Sequence, residues 1–168
     1  MIEEKLLNKE LIGLSRAACT LMLSIGDIIT IEKIKGGTYE GSEYAMHISS
    51  MWRFTKNGDI LLATHDITTP FDENLENDDD WDWDYDILGR EKEKGSIFDV
   101  RQLEFINDYL PLKIKNVKFT DTNDLHIEFD KDICLDTFIS CSRKQEYLRF
   151  IDFNTRKHTV IFEKEHQT

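Results

Sequence analysis

The chain has 168 residues, with 33 Asp and Glu against 21 Lys and Arg, for a net charge of −12. A sequence pI near 4.8 excludes nucleic acid as the expected ligand, because a phosphate backbone selects basic surfaces. Hydrophobic residues make up 40%, enough for one compact domain or two small ones, and no apolar run is long enough to predict a membrane span.

The opening Met1-Ile2-Glu3-Glu4-Lys5 carries acids where a secretory leader needs positive charge, so the expected location is the cytoplasm. A short helix is expected between Glu3 and Leu14, passing into extended structure at Leu11–Leu14. Thr20–Ile25 alternates as a strand, Gly26-Asp27 reads as a turn, and Ile28–Ile31 reads as its hairpin partner. Glu43–Thr55 reads as one strand, with Tyr44, Met46, Ile48, Ser50, Trp52 and Phe54 on the core face. Asn57-Gly58 is a hairpin turn, and Ile60–Thr64 returns from it.

Between Lys56 and Arg90 there is no Lys or Arg, and 11 acids fall in that gap; taking those 11 charges from −12 leaves −1 for the rest of the chain. Asp80 to Ile87 alternates acid with aromatic or apolar, which is the period of a strand. Trp81, Trp83, Tyr85 and Ile87 would share one face, and Asp80, Asp82, Asp84 and Asp86 the other. A solvated edge or loop is one reading, since charge runs usually face water. A docking strip for a basic partner is another, with aromatic anchors in a field of like charge. Asp78, Asp80 and Asp82 have the spacing of the first EF-hand ligands, but the turn Gly and the closing Glu are missing, so no metal site is expected.

Ser96–Tyr109 reads as a helix capped by Ser96 with Asp99 three residues on, and Pro111 stops it. One side of it runs through Ile97, Val100, Leu103 or Glu104, and Asn107. The tail returns to strands at Leu112–Thr120, Leu125–Phe129, Ile133–Leu135, Tyr147–Phe153 and Thr159–Phe162. The two β portions echo each other. Leu21-x-Leu23-x-Ile25 matches Leu125-x-Ile127-x-Phe129, and Trp52-Arg53-Phe54 matches Leu148-Arg149-Phe150. The fold class expected is α+β, mainly antiparallel β, as two β-meander units with a possible internal duplication, packed as a sandwich or a pair of small sheets. The boundaries read as 1–64 for the N-terminal β unit, 65–95 for the acidic aromatic segment and linker, 96–111 for the helix and 112–168 for the C-terminal β unit, together one compact domain.

Catalytic signatures are sparse. The five His residues show no HxH or HExxH, and the Gly residues form no phosphate-binding pattern. Cys19, Cys134 and Cys141 form no CxxC and read as free, buried thiols in a reducing compartment. Cys141 lies beside Arg143 and Lys144, and His65 beside Asp66, but neither has the companions that nucleophilic catalysis needs. Arg53, facing away from Trp52 and Phe54, is expected to pair with Asp66 or with the acidic strip. No catalytic residue, cofactor or metal is therefore expected.

The stretch Ala45–Pro70, with Trp52-Arg53-Phe54, Asn57-Gly58 and Asp66-Ile67-x-x-Pro70, resembles a group of small uncharacterised bacterial proteins with a Trp-Arg strand, a hairpin and an Asp-Ile-x-x-Pro turn. The Trp81-Asp82-Trp83-Asp84 run and the strand Tyr147–Phe153 fit the same group. The group brings no catalytic residues. In size and composition the chain also resembles immunity proteins encoded beside bacterial toxins. The expectation is a non-enzymatic protein that binds a basic protein partner, such as a toxin, through Asp79, Asp80, Trp81, Asp82, Trp83, Asp84, Tyr85 and Asp86. The alternatives are a small-molecule binder or enzyme with a pocket between the two β units, and a structural subunit.

Overall fold

A computed structural model of the chain describes residues 1–83, 95–143 and 145–161. Among the described residues ten strands run in one antiparallel sheet, with two α-helices before its two halves. Helix α1 (Ile2–Leu6) leads into β1 (Glu10–Ala17), β2 (Thr20–Glu32), β3 (Thr38–Ile48), β4 (Met51–Lys56) and β5 (Asp59–Ala63). Helix α2 (Ile97–Tyr109) leads into β6 (Leu112–Phe119), β7 (Leu125–Phe129), β8 (Ile133–Phe138), β9 (Leu148–Asp152) and β10 (Lys157–Ile161).

The spatial order is β10-β9-β3-β2-β1-β6-β7-β8-β4-β5. This order is a palindrome in the two runs of five. Each meander of three strands receives a hairpin from the other run: β9–β10 joins β3, and β4–β5 joins β8. The halves meet where β1 pairs β6, Glu10 opposite Lys113 and Leu11 opposite Leu112. The two β units therefore form one sheet joined edge to edge, where separate sheets were expected.

The echo in the sequence is an echo in register. Leu11 stands opposite Ile25, and a bulge follows before Gly13; Ile114 stands opposite Phe129, and a bulge follows before Asn116. Met46 pairs Phe150 and Ile48 pairs Leu148, as Leu135 pairs Phe54 and Thr137 pairs Trp52. So Trp52-Arg53-Phe54 and Leu148-Arg149-Phe150 occupy equivalent positions. Each turns its first and third side chains into the core and its Arg outward.

Residues 43–55 are two strands, broken at Ser49-Ser50, where the chain leaves one half for the other. Alternation survives the break, because Tyr44, Met46, Ile48, Ser50, Trp52 and Phe54 are all buried. In a flat sheet β3 and β4 would lie six strand spacings apart, about 29 Å at ~4.8 Å each. The steps from Ile48 to Met51 reach about 11 Å at most. The sheet therefore folds back on itself, and inward residues of both halves join one hydrophobic cluster.

Gly26-Asp27 is a bulge, not a turn: β2 continues through it, with Ile25 opposite Tyr44 and Ile28 opposite Ser42. Gly26 has φ +86, and a Cβ there would stand 2.8 Å from Glu43 Oε2. Ser96 caps α2, accepting from the Asp99 amide at 3.2 Å. The buried side of this helix is Phe98, Asp99, Val100 and Phe105, whereas Leu103 is exposed. Phe98 meets Trp52, and Phe105 meets Phe54, with ring centroids 5.9 and 4.9 Å apart.

Candidate functional site

The acidic segment leaves the fold after a 3₁₀ turn at Thr64–Ile67 and returns at α2. Its two ends are stapled. Pro70 bridges Ser96, the Ile97 amide donates to Thr69 O at 2.9 Å, and the Phe71 amide donates to Gly95 O at 3.0 Å. Pinned ends shorten the excursion that the segment must order.

Within it, Asp residues build turns. The Asp72 carboxylate accepts from the Asn74 amide, and the Asp78 carboxylate accepts from the Asp80 amide, both at 3.0 Å. The Trp81 amide then donates to Asp78 O at 3.1 Å. These side-chain bonds offer the backbone an alternative to a ladder. Trp81, Asp82 and Trp83 are accordingly not in a strand, which corrects the expected strand over 80–87 as far as its residues are described. The alternation of exposure holds nonetheless: Asp80 and Asp82 are exposed, Trp81 and Trp83 half-buried. Asp84, Tyr85 and Asp86 lie outside the described residues.

Trp83 packs on the main core cluster. Its carbonyl accepts from Arg16 Nη2 at 2.9 Å. The same guanidinium holds Asp99 by two bonds, Nε to Oδ1 at 2.8 Å and Nη2 to Oδ2 at 2.9 Å. Arg16 and Asp99 are 7% and 4% exposed in their side chains. A forked, buried pair of this kind fixes orientation as well as charge. It links β1, the start of α2 and the acidic ribbon at one point. In the sequence Asp99 is legible only as a helix cap, and no local signal marks Arg16.

Asp78, Asp79 and Asp80 are exposed, and no described Lys or Arg pairs with them. Arg53, expected to reach this strip or Asp66, lies over the Phe138 ring at 5.0 Å, cross-strand from Asp136. Asp66 instead accepts from the Ala63 amide at 2.8 Å. Burial pushes the Asp66 carboxyl up, partly offset by that amide.

A second polar cluster stands at the seam of the sheet halves. Lys9 Nζ reaches Glu43 at 2.5 Å and Asp27 at 3.5 Å, and Asn154 donates to Glu43 at 3.0 Å. Lys5 pairs with the buried Asp152. A cavity of about 420 Å³ opens beside them, lined by Asn8, Lys9, Glu10, Asp27 and Lys113 among others. Burial is the largest single influence on Glu43 and Asp152 and opposes their charges, but Lys9, Tyr44 and Asn154 around Glu43, and Lys5 and Thr155 around Asp152, together outweigh it and hold both carboxyls below their ordinary range. The Glu43 bond raises Lys9. Burial and Glu43 push the Tyr44 phenol up to about 12. Every shift keeps its group in the form it already has at neutral pH. A general acid or base needs the opposite tuning, towards neutrality.

On the outer face of the second half, His126 meets Asp136 at 2.6 Å and Glu128 at 3.3 Å. Burial, with Asp136 and Glu128 nearby, pushes the Cys134 thiol up, away from the thiolate form. Cys19 and Cys141 are exposed, against the expectation of buried thiols, because Cys19 lies in the turn between β1 and β2 and Cys141 in the irregular stretch after β8. Among the described residues no group of three His, Cys, Asp or Glu is placed to hold a metal ion. No described helix is long and apolar enough to cross a membrane.

No protein-family profile, curated protein or solved structure matches this chain.

Proposed function

We propose that the protein acts by binding, with the ribbon around Asp78–Trp83 as the surface that receives a basic protein partner. One observation carries this reading: the exposed carboxylates of Asp78, Asp79 and Asp80, with no cationic partner among the described residues, stand on a backbone tied down through Arg16 and Asp99. Like charges on a fixed scaffold create a field that steers a cationic surface into contact. Half-buried Trp81 and Trp83 add apolar area beside that field. Asp84, Tyr85 and Asp86 extend the same composition. The role that fits is an immunity protein in the cytoplasm, neutralising a basic toxin, and no step of it calls for catalysis.

The test uses an oligolysine peptide as probe. Its binding should weaken steeply as salt rises. Asp78→Asn/Asp79→Asn/Asp80→Asn should lower affinity several-fold. A control that removes three acids elsewhere, Glu3→Gln/Glu40→Gln/Asp121→Asn, should change it little. Equal losses in the two variants would reduce the effect to net charge and remove the ribbon as a site.

The competing reading, a small-molecule site between the halves, has the seam cavity in its favour. Its Lys9 is held in ion pairs with Glu43 and Asp27, and that places it second.

A further inference from the structure

Beyond the end of β9 the β2–β3 hairpin continues as an overhanging arm, with Ile28–Glu32 paired to Thr38–Ser42. Ile31 and Tyr39 are cross-strand partners there. Gly41 beside them has no Cβ; one would stand 2.9 Å from Ile31 Cδ1 and 3.3 Å from the Tyr39 ring. Both side chains therefore lie down against the bare backbone. Between this arm and the β9–β10 hairpin opens a groove of about 540 Å³, within the ~300–1,000 Å³ of small-molecule sites. Ile31, Ile151 and Phe153 line it, and Ile34 stands fully exposed at the arm's tip.

The groove reverses the sign of the protein. Among the described residues Lys33, Lys35, Arg156 and His158 line it, against the one carboxylate of Glu32. Lys33 Nζ sits over the Tyr39 ring at 5.9 Å. Arg156 reaches Glu32 at 2.6 Å through one nitrogen, and a guanidinium has five donors. In a chain with net charge −12, a cationic rim around an apolar trough selects a ligand that carries both complements.

The geometry points to a binding site for a small amphipathic carboxylate, its apolar body along Ile31, Ile34 and Ile151 and its head against Lys35 and Arg156. This site is separate from the ribbon and stands or falls independently of the protein partner proposed for it.

Decanoate is the probe, titrated calorimetrically into the full chain below its micelle concentration, with decanol and decyltrimethylammonium as neutral and cationic counterparts. Decanoate should bind saturably at one site, decanol more weakly and the cation not at all. Lys35→Gln/Arg156→Gln should weaken decanoate about tenfold or more, the loss of ~1.4 kcal/mol per decade, and leave decanol unchanged. Ile34→Asp should abolish binding, while the exposed control Ile60→Asp should not. Ile34 is 103% and Ile60 55% exposed, so both variants keep the core intact. Absence of saturable binding, or equal affinity for all three probes, overturns the site. So does a dimer in sedimentation that Ile34→Asp dissociates, since the occupant would then be a second copy of the chain.

Discussion

Arg16 and Asp99, 83 residues apart in the chain, hold each other through two parallel hydrogen bonds of 2.8 and 2.9 Å. A spare edge of the same guanidinium holds the carbonyl of Trp83. Arg16→Met would leave the Asp99 carboxylate buried without its cation, at a cost of about 3–5 kcal/mol. Arg16→Lys should cost less, since it keeps the charge and loses the fork. Asp99→Asn added to Arg16→Met should lose less than the sum of the two single changes, as expected for directly coupled partners. Urea unfolding measures all of these. A loss below about 1 kcal/mol for Arg16→Met would place the anchor elsewhere.

This pair was out of reach of the sequence, because nothing local to Arg16 announces a partner on a distant helix. What was legible is local. The alternation Tyr44 to Phe54 named the core face correctly even across Ser49-Ser50, since the side-chain period belongs to the backbone itself. The Ser96 cap and the Asn57-Gly58 hairpin follow from the same short-range chemistry. The break at Ser49-Ser50 was illegible because it depends on which half supplies the next neighbour. Gly26 needs positive φ in a turn and in a bulge alike, and only the continued pairing with β3 tells them apart. Over Asp80–Ile87 the alternation has the period of a strand, but in its described part the Asp78 side chain bonds the Asp80 amide instead, which leaves the loop reading.

The repeated motif predicts paired responses. Phe54 and Phe150 are buried at equivalent positions, with 0% and 2% exposure. Phe54→Ala and Phe150→Ala should each cost about 3–5 kcal/mol. Arg53→Ala and Arg149→Ala, at the outward positions between, should each cost far less, since exposed charges are screened by solvent. Chemical denaturation of the four variants checks the pattern. A severe loss at either Arg would break the equivalence of the two motifs.

Acid stability should be set partly at the seam. Glu43 and Asp152 are held below their ordinary 4.5 and 3.8. A depressed carboxyl binds fewer protons folded than unfolded, so its stabilisation is complete above the ordinary value. It is lost as pH falls through the lowered one. Glu43→Gln should therefore destabilise at neutral pH and make the acid limb shallower. Asp66 runs the other way. Its raised pKa means the folded state resists the charge, so its penalty is present at neutral pH and relieved in acid. Asp66→Asn can still accept from the Ala63 amide, and it should stabilise at about pH 7 and gain little at about pH 3. Urea midpoints across that range read both slopes.

Asp78 does two things in the ribbon, and two substitutions separate them. Its carboxylate accepts from the Asp80 amide at 3.0 Å, which shapes the turn, and it contributes one charge to the exposed field. Asp78→Asn keeps an acceptor oxygen and removes the charge. It should leave Trp81 and Trp83 emission unchanged and lower oligolysine affinity by a few tenths to about 1 kcal/mol, as for an exposed ion pair. Asp78→Ala removes both the charge and the acceptor, at a further cost of about 1 kcal/mol to the turn. The Asp80 amide should then exchange faster with solvent, and oligolysine should bind more weakly than to Asp78→Asn, because the field has lost its fixed geometry as well as a charge. If the two variants bind oligolysine equally, the shape of the turn is irrelevant to recognition and only the number of carboxylates counts.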